Sequence, residues 1–385
     1  MIGHIAAVKL PIPCPGPMRP PLIDIIAGAR PNFMKIAPII RALDARRAEG
    51  STLGYRLVHT GQHYDARMSG DFFEQLGIPT PHANLGVGGG TQAEQAAGIM
   101  VGYERILDSA PSDLCLVVGD VTSTMACAIT AQKMRVPVAH VEAGIRSGDW
   151  TMPEEINRMV TDSVSNHFFT TSETANQNLF RSGARPEQVH FVGNTMIDTL
   201  LANLDRLRAP AFWETDRLER GKYLVLTLHR PSNVDAAAGL ALLLQEIGRA
   251  ARGERVVFPV HPRTARTLRE IGPMPPGLLL VEPQPYLEFN YLVRHARAVI
   301  TDSGGVTEEA TVMGVPCMTL RTTTERPETV GIGTNELLGT DPSALAPAME
   351  RLHAGAWKRG GIPPLWDGQA GPRIVGILEQ KLTGP

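Results

Sequence analysis

Short runs of consecutive apolar residues recur along the chain, and each is followed by a segment in which apolar positions return with helical spacing. Leu22–Ile26 has a buried-strand pattern, and Tyr55–His59, Leu114–Val118, Val138–Val141, His167–Thr170 and Val189–Val192 read as further strands. Between them, Asn32–Arg47 carries Met34, Ile36, Ile39, Ile40 and Leu43 on one helical face. Phe72, Phe73 and Leu76 mark another helix, and Thr91–Leu107, Val121–Lys133 and Ser172–Arg181 suit three more. After a polar, proline-containing stretch at 209–221 the alternation restarts. Tyr223–Leu228, Arg255–Val260, Leu278–Val281, Ala298–Thr301 and Val315–Leu320 are expected strands, with helices at Ala236–Arg252, Pro262–Ile271, Tyr286–His295 and Thr307–Met313. Strand–helix alternation in both halves predicts an α/β protein of two doubly wound Rossmann-like domains facing each other across a cleft. The expected division is a proline-rich extension at 1–20, a first domain at 21–200 and a second at 201–365. The last segment, 366–385, is expected to form a helix that packs back on the first domain.

The ends of these strands hold the chemistry. A right-handed β-α-β unit makes the runs at 114–118 and 138–141 parallel, so Asp120 and Glu142 emerge at the same carboxyl edge. Glu154 and Glu155 follow after a short loop. Convergent carboxylates are costly unless chemistry or a cationic ligand requires them, although single acids at strand ends also serve as helix caps. In the second half, His229 follows the first strand. Ser303, Gly304 and Gly305 follow another and open a helix, where free amides suit a pyrophosphate and Glu309 one turn on suits ribose hydroxyls; Asp302 or Ser303 would equally serve as a plain cap. Arg326 and Arg321 sit at the same edge, and Arg30 and Lys35 stand at the mouth of the first helix. The residues therefore predict a cleft with one cationic, amide-rich side and one carboxylate-rich side. The glycine-rich loop Gly86–Gly90 has no lysine behind it and reads as a turn.

Composition narrows the picture. The 385 residues are 43% hydrophobic and 20% charged, with a formal net charge of −2. That balance favours a globular chain and gives no support for a nucleic-acid or membrane-surface partner. The four cysteines show no paired or zinc-like spacing, no clustered His/Cys set suggests a metal, and no GxSxG elbow suggests a serine hydrolase. No apolar run reaches the length of a membrane span, the first twenty residues lack a secretory pattern, and a cytoplasmic location is expected.

Ten stretches in order carry a resemblance: GARPNFMKIAP, VHTGQHYD, GDVTST, HVEAGIRSGD, PEEINR, VGNTMIDTL, TLHRPSN, FPVHP, TDSGGVTEEA and TTERPE. Together they resemble the non-hydrolysing UDP-N-acetylglucosamine 2-epimerases, from about Leu22 to the C-terminus. The resemblance implies a GT-B architecture and reversible interconversion of UDP-GlcNAc and UDP-ManNAc. UDP would be eliminated across C1–C2 and re-added with inversion at C2, without nicotinamide or obligatory metal. It further implies that Asp120, Glu142, Glu154 and His229 are catalytic, and that Arg30, Lys35, Ser303, Gly304, Gly305, Glu309 and Arg326 hold UDP. Glu142 and Glu154 are the candidate base and acid, Asp120 a third partner or positioner, and Glu155 a supporting residue. A homodimer is what the family suggests. The chain has GQHYD, HRPSN and Thr307 where the commonest bacterial pattern has GQHRE, HRREN and a glutamine, so allosteric activation and the exact sugar stay open. The alternatives are an epimerase of a modified UDP-2-acetamido sugar such as a diacetamido-uronic acid, a GT-B glycosyltransferase, a hydrolysing variant and a non-catalytic nucleotide-sugar sensor.

Overall fold

The computed structural model describes residues 19–61, 73 and 75–384. Its first sheet holds β1 (Leu22–Ala27), β2 (Gly54–His59), β3 (Ala83–Asn84), β4 (Leu114–Val118), β5 (Val138–Val141), β6 (His167–Thr170) and β7 (Val189–Phe191). They lie in the order β3-β2-β1-β4-β5-β6-β7, and every neighbouring pair is parallel. The second sheet holds β8 (Tyr223–Thr227), β9 (Arg255–Pro259), β10 (Leu278–Val281), β11 (Ala298–Thr301), β12 (Cys317–Thr319) and β13 (Asn335–Leu337). Its order is β10-β9-β8-β11-β12-β13, again all parallel. Strand order reverses between β1 and β4 and between β8 and β11. In open parallel sheets the crevice beyond such a reversal is where ligands settle.

Burial on both faces explains the unbroken apolar runs. Along β1, Ile23, Ile25 and Ala27 face one core and Ile26 the other; along β4, Leu114, Leu116 and Val118 alternate in the same way with Cys115 and Val117. Leu224 and Leu226 of β8 likewise oppose Tyr223 and Val225. A two-residue period therefore feeds two apolar layers, each closed by helices. The helices that matter for the site are α1 (Arg30–Ala48), α2 (Thr122–Lys133), α3 (Pro153–Val164), α4 (Thr195–Asn203), α5 (Gly304–Val312), α6 (Pro327–Gly331) and α7 (Ala370–Thr383). After the second sheet the chain returns to the first: Ile374, Val375 and Leu378 of α7 share a core with Ile36, Ile39 and Ile40 of α1. A methyl at Gly371 would come within 2.6 Å of the Pro38 carbonyl oxygen, so glycine permits that close crossing.

Several elements differ from the sequence reading. Helix α5 starts at Gly304, not Thr307, because both glycines adopt helical backbone and supply its first turn. β3 and β13 are short strands at the ends of their sheets, without the apolar run that marks a buried strand. The extension up to residue 18 and the Gln62–Asp65 part of the VHTGQHYD stretch lie outside the described residues, as does Phe72. Among the described residues no helix is long and apolar enough to cross a membrane.

Candidate active site

Two strand ends carry the first half of the site. β4 leads into Gly119, which has φ of 67° and lies so close to Lys35 that an added Cβ would stand 2.7 Å from its Nζ. Its carbonyl oxygen is held by His140 Nε2 at 2.8 Å, while His140 Nδ1 meets Asp162 Oδ1 at 2.8 Å. Asn157 Nδ2 donates to the Asp120 carbonyl at 2.9 Å. The turn is thus fixed from two sides, and the Asp120 carboxylate pairs with buried Arg158. β5 leads directly into Glu142, a non-glycine residue with φ of 71° whose amide donates to the Phe169 carbonyl at 2.9 Å. That left-handed conformation is unusual for glutamate and marks a residue held by its surroundings. The Glu142 carboxylate is buried between Lys35 and Arg326 and pairs with both.

Lys35 reaches this point because α1 starts in a fixed place. Asn32 Oδ1 accepts from the amides of Gly28 and Ala29 at 3.1 and 2.9 Å, and its Nδ2 donates to the Val118 carbonyl at 3.1 Å. Arg30 opens the same helix; its side chain lies outside the described residues.

The second half closes over the first. Arg326, immediately before α6, pairs through one end with Glu142 and through its Nε with Glu308 of α5. Glu308 also accepts from Asn194 Nδ2 at 2.9 Å. Arg158 lies 3.8 Å from Glu325, which Arg321 grips in a fork at 2.6 and 2.9 Å. Asp302 is fully buried and is no helix cap. It accepts from the amides of His229 and Arg230 and from Asn233 Nδ2, and it meets His229 Nδ1 at 2.8 Å. This holds an imidazole that is 49% exposed. Ser303 stands at the N-cap position of α5, and its side chain makes no capping hydrogen bond. A methyl on Gly304 or Gly305 would meet nothing nearer than 4.0 or 3.6 Å, so no protein atom crowds either glycine.

Charges in the site alternate in space. The sequence reading placed cations on one side and acids on the other; the structure instead sets Lys35, Arg158 and Arg326 between Asp120, Glu142, Glu308 and Glu155. Buried charges are tolerated only with an opposite neighbour, and this pattern satisfies each in turn. Burial pushes the Lys35 ammonium down to about 8, with Asp120 pulling the other way. Burial favours a raised Asp120 carboxyl, but Arg158, Lys35 and Arg326 together hold it below the ordinary carboxylate range. Burial pushes Glu308 up to about 8 against the pull of Lys35, and pushes Glu309 up to about 7 against hydrogen bonds from Tyr286 and Asn290. Burial also lowers the Arg326 guanidinium, an effect opposed by Glu328 and Asp120.

The structure brings Asp120, Glu142, Lys35 and Arg326 into one contiguous cluster. Glu154 stands apart, exposed in the first turn of α3 and without a side-chain hydrogen bond or ion pair among the described residues. Its neighbour Glu155 is buried and accepts from the Ser147 amide and hydroxyl and the Gly148 amide, each at 3.0 Å, and from Arg158 at 2.8 Å. Sequence reasoning passed over Arg158, Glu308, Asn194 and His140. The available signal for Arg158 was its position three residues after Glu155 on a helix, which puts both on one face. Among the described residues no group of His, Cys, Asp or Glu is arranged to hold a metal.

Comparison with known proteins places this geometry. A family model described as UDP-N-acetylglucosamine 2-epimerase matches residues 46–379. The UDP-N-acetylglucosamine 2-epimerase of Methanocaldococcus jannaschii is 39% identical over 369 residues, covering 92% of this chain and 98% of the relative. The UDP-2,3-diacetamido-2,3-dideoxy-D-glucuronate 2-epimerase of Pseudomonas aeruginosa is 38% identical, covering 82% and 87%. The crystal structure of the M. jannaschii enzyme in complex with UDP-GlcNAc and UDP superposes with a TM-score of 0.83 at 38% identity, covering 93% of this chain and 99% of that one. Two parallel sheets of the same architecture, matched nearly end to end, leave one assignment: the chain belongs to the UDP-N-acetylglucosamine 2-epimerase family.

Proposed function

We propose that the protein interconverts UDP-GlcNAc and UDP-ManNAc by eliminating UDP and adding it back. The C2 proton of the sugar is not acidic, so its loss must be coupled to breaking the C1–O bond. A carboxylate takes the proton, the C2–H electrons become the C1=C2 double bond, and the C1–O electrons leave with UDP. Re-addition runs backwards with the proton delivered to the opposite face of C2. Such a route needs proton-transfer groups on both faces and a firm hold on the departing diphosphate.

The observation that carries this reading is the meeting of Glu142 and Asp120, from the first sheet, with Arg326 from the second half. Glu142 and Glu154 are the base and acid pair, with Asp120 as their partner or positioner. The diphosphate is assigned to the start of α5 at Ser303, Gly304 and Gly305, with Arg326, Lys35 and Arg30. The uncrowded glycines suit a backbone approached by ligand. Glu309 is assigned to the ribose hydroxyls. His229, steadied by Asp302, faces the leaving group. The working form in this reading is a cytoplasmic homodimer, which light scattering and cell fractionation test.

Incubation with UDP-GlcNAc in deuterated water, followed by NMR, tests the activity. Deuterium at C2 together with UDP-ManNAc is expected; free sugar with UDP, or an unchanged substrate, overturns it. The P. aeruginosa relative supports a second reading, the same chemistry on a UDP-diacetamido-uronate. Faster C2 exchange of that substrate than of UDP-GlcNAc would select it.

A further inference from the structure

Trp150 is the most exposed large apolar side chain among the described residues, at 63% of its surface. Its loop, between β5 and α3, is well built. Glu155 holds Ser147 and Gly148, Asp149 accepts from the Thr151 amide and hydroxyl at 2.9 and 2.6 Å, and Arg146 pairs with Asp162 at 2.6 Å. Exposure of a single indole is ordinary in itself; what singles out Trp150 is that this firmly anchored loop holds it where the two halves meet.

The loop also has a definite position. It runs from Glu142 to Glu154, one assigned proton-transfer residue to the other. Met152 Sδ lies 3.3 Å from a guanidinium nitrogen of Arg230 in the second half, and Arg230 Nε donates to the Asp302 carbonyl at 3.1 Å, directly before Ser303. The Asp149 carboxyl is held low by its bonds from Thr151 and then by the nearby Arg230 and Arg321. Residues on both sides of Trp150 therefore bear on the opposite half at the rim of the site.

What arrives there is decided by chemistry. A nucleotide sugar has an anionic end and an end with apolar surface, the C–H face of the pyranose and the acetamido methyl. The anionic end matches α5 and the cations. An indole beside the Asp149 carboxylate matches the other end, because an aromatic face attracts the weakly positive C–H edges and excludes water from them. Resting on the proposed function, we infer that Trp150 covers the 2-acetamido sugar end of the bound nucleotide.

Tryptophan fluorescence tests this directly. Of the four tryptophans, Trp213 and Trp366 are buried and Trp357 is half-buried, so Trp150 is the one most open to solvent. UDP-GlcNAc is expected to shift emission to shorter wavelength, UDP alone is not, and Trp150→Phe should remove the shift. In steady state, Trp150→Ala should raise KM for UDP-GlcNAc about tenfold while leaving inhibition by UDP unchanged, and Trp150→Phe should restore most of the loss. An equal spectral shift with UDP, or an unchanged KM in Trp150→Ala, overturns the inference. A loss of particle mass in Trp150→Ala with KM unchanged also overturns it, by making a second copy the cover. A protein that binds UDP-GlcNAc with the spectral shift but fails to exchange C2 would instead sink the proposed activity and keep Trp150 in place.

Discussion

Glu142 and Arg326 form an ion pair across the two halves of the molecule, 184 positions apart in the chain. Both are buried, and the Glu142 carboxylate is shared with Lys35. A residue assigned to proton transfer at the end of one sheet is therefore oriented by a cation from the other. Any movement between the halves alters the electrostatic setting of that carboxylate.

Replacing Glu142 by glutamine preserves shape and removes the charge. C2 deuterium exchange should fall by about 10³-fold, within the range for a lost general base. Lys35 and Arg326 then share a buried site without their carboxylate, which costs roughly 3 kcal/mol of stability. Calorimetric titration should still detect UDP binding. A near-normal exchange rate in this variant would place the chemistry elsewhere.

Glu154 and Glu155 are neighbours in sequence with opposite settings. Glu154→Gln should unfold within about 0.5 kcal/mol of wild type, because the side chain is exposed and makes no hydrogen bond or ion pair among the described residues, yet it should lose about 10²–10⁴ in turnover. Glu155→Gln should lose about 2–3 kcal/mol, because three donors of the 147–148 loop and Arg158 converge on it. Urea unfolding and exchange assays on the two variants separate the roles; equal effects in both assays would contradict the assignment.

Gly119→Ala probes the turn that carries Asp120. The positive φ strains any side chain by about 1 kcal/mol, and the new methyl meets the Lys35 ammonium at 2.7 Å. Lys35 is flexible enough to move, so the protein should fold. Its displacement from Glu142 should lower kcat by about 10²-fold. An unchanged kcat beside a lowered melting temperature would show that the Lys35 position does not matter to the reaction.

The raised Glu309 carboxyl gives a pH test. Its folded value is about 7 against 4.5 unfolded, so between those values the folded state keeps a proton that the unfolded state releases. Stability from this group is full below pH 4.5, declines as pH rises towards 7, and is level above that. Glu309→Gln cannot ionise. The stability of wild type relative to this variant should therefore drop by about 2–3 kcal/mol between pH 5 and pH 8, as read by urea titrations. A gap that stays constant or widens in the other direction would refute the burial argument.

Local pattern made the strands readable. Leu114–Val118 and Val138–Val141 are apolar on both faces, and the turn after each brings Asp120 and Glu142 to the same edge by the geometry of a parallel unit. The glycines after β11 likewise announced a helix start, although helical backbone at Gly304 and Gly305 moved it three residues earlier. Asp302 shows where such reading stops. Its sequence neighbours made it a plausible cap, but it is bound to His229, Arg230 and Asn233, about seventy residues away.

The two parallel α/β halves, the strand ends that bear acids and the glycine turn suited to phosphate are legible along the chain, because periodicity and turn chemistry act over a few residues. Which charge meets which is a property of the packed fold: Lys35 and Arg326 on Glu142, Arg158 on Asp120, Glu308 on Arg326, and Trp150 at the rim with water on most of its surface. Those pairings follow from desolvation, which requires each buried charge to find an opposite partner wherever the packed halves bring one within reach.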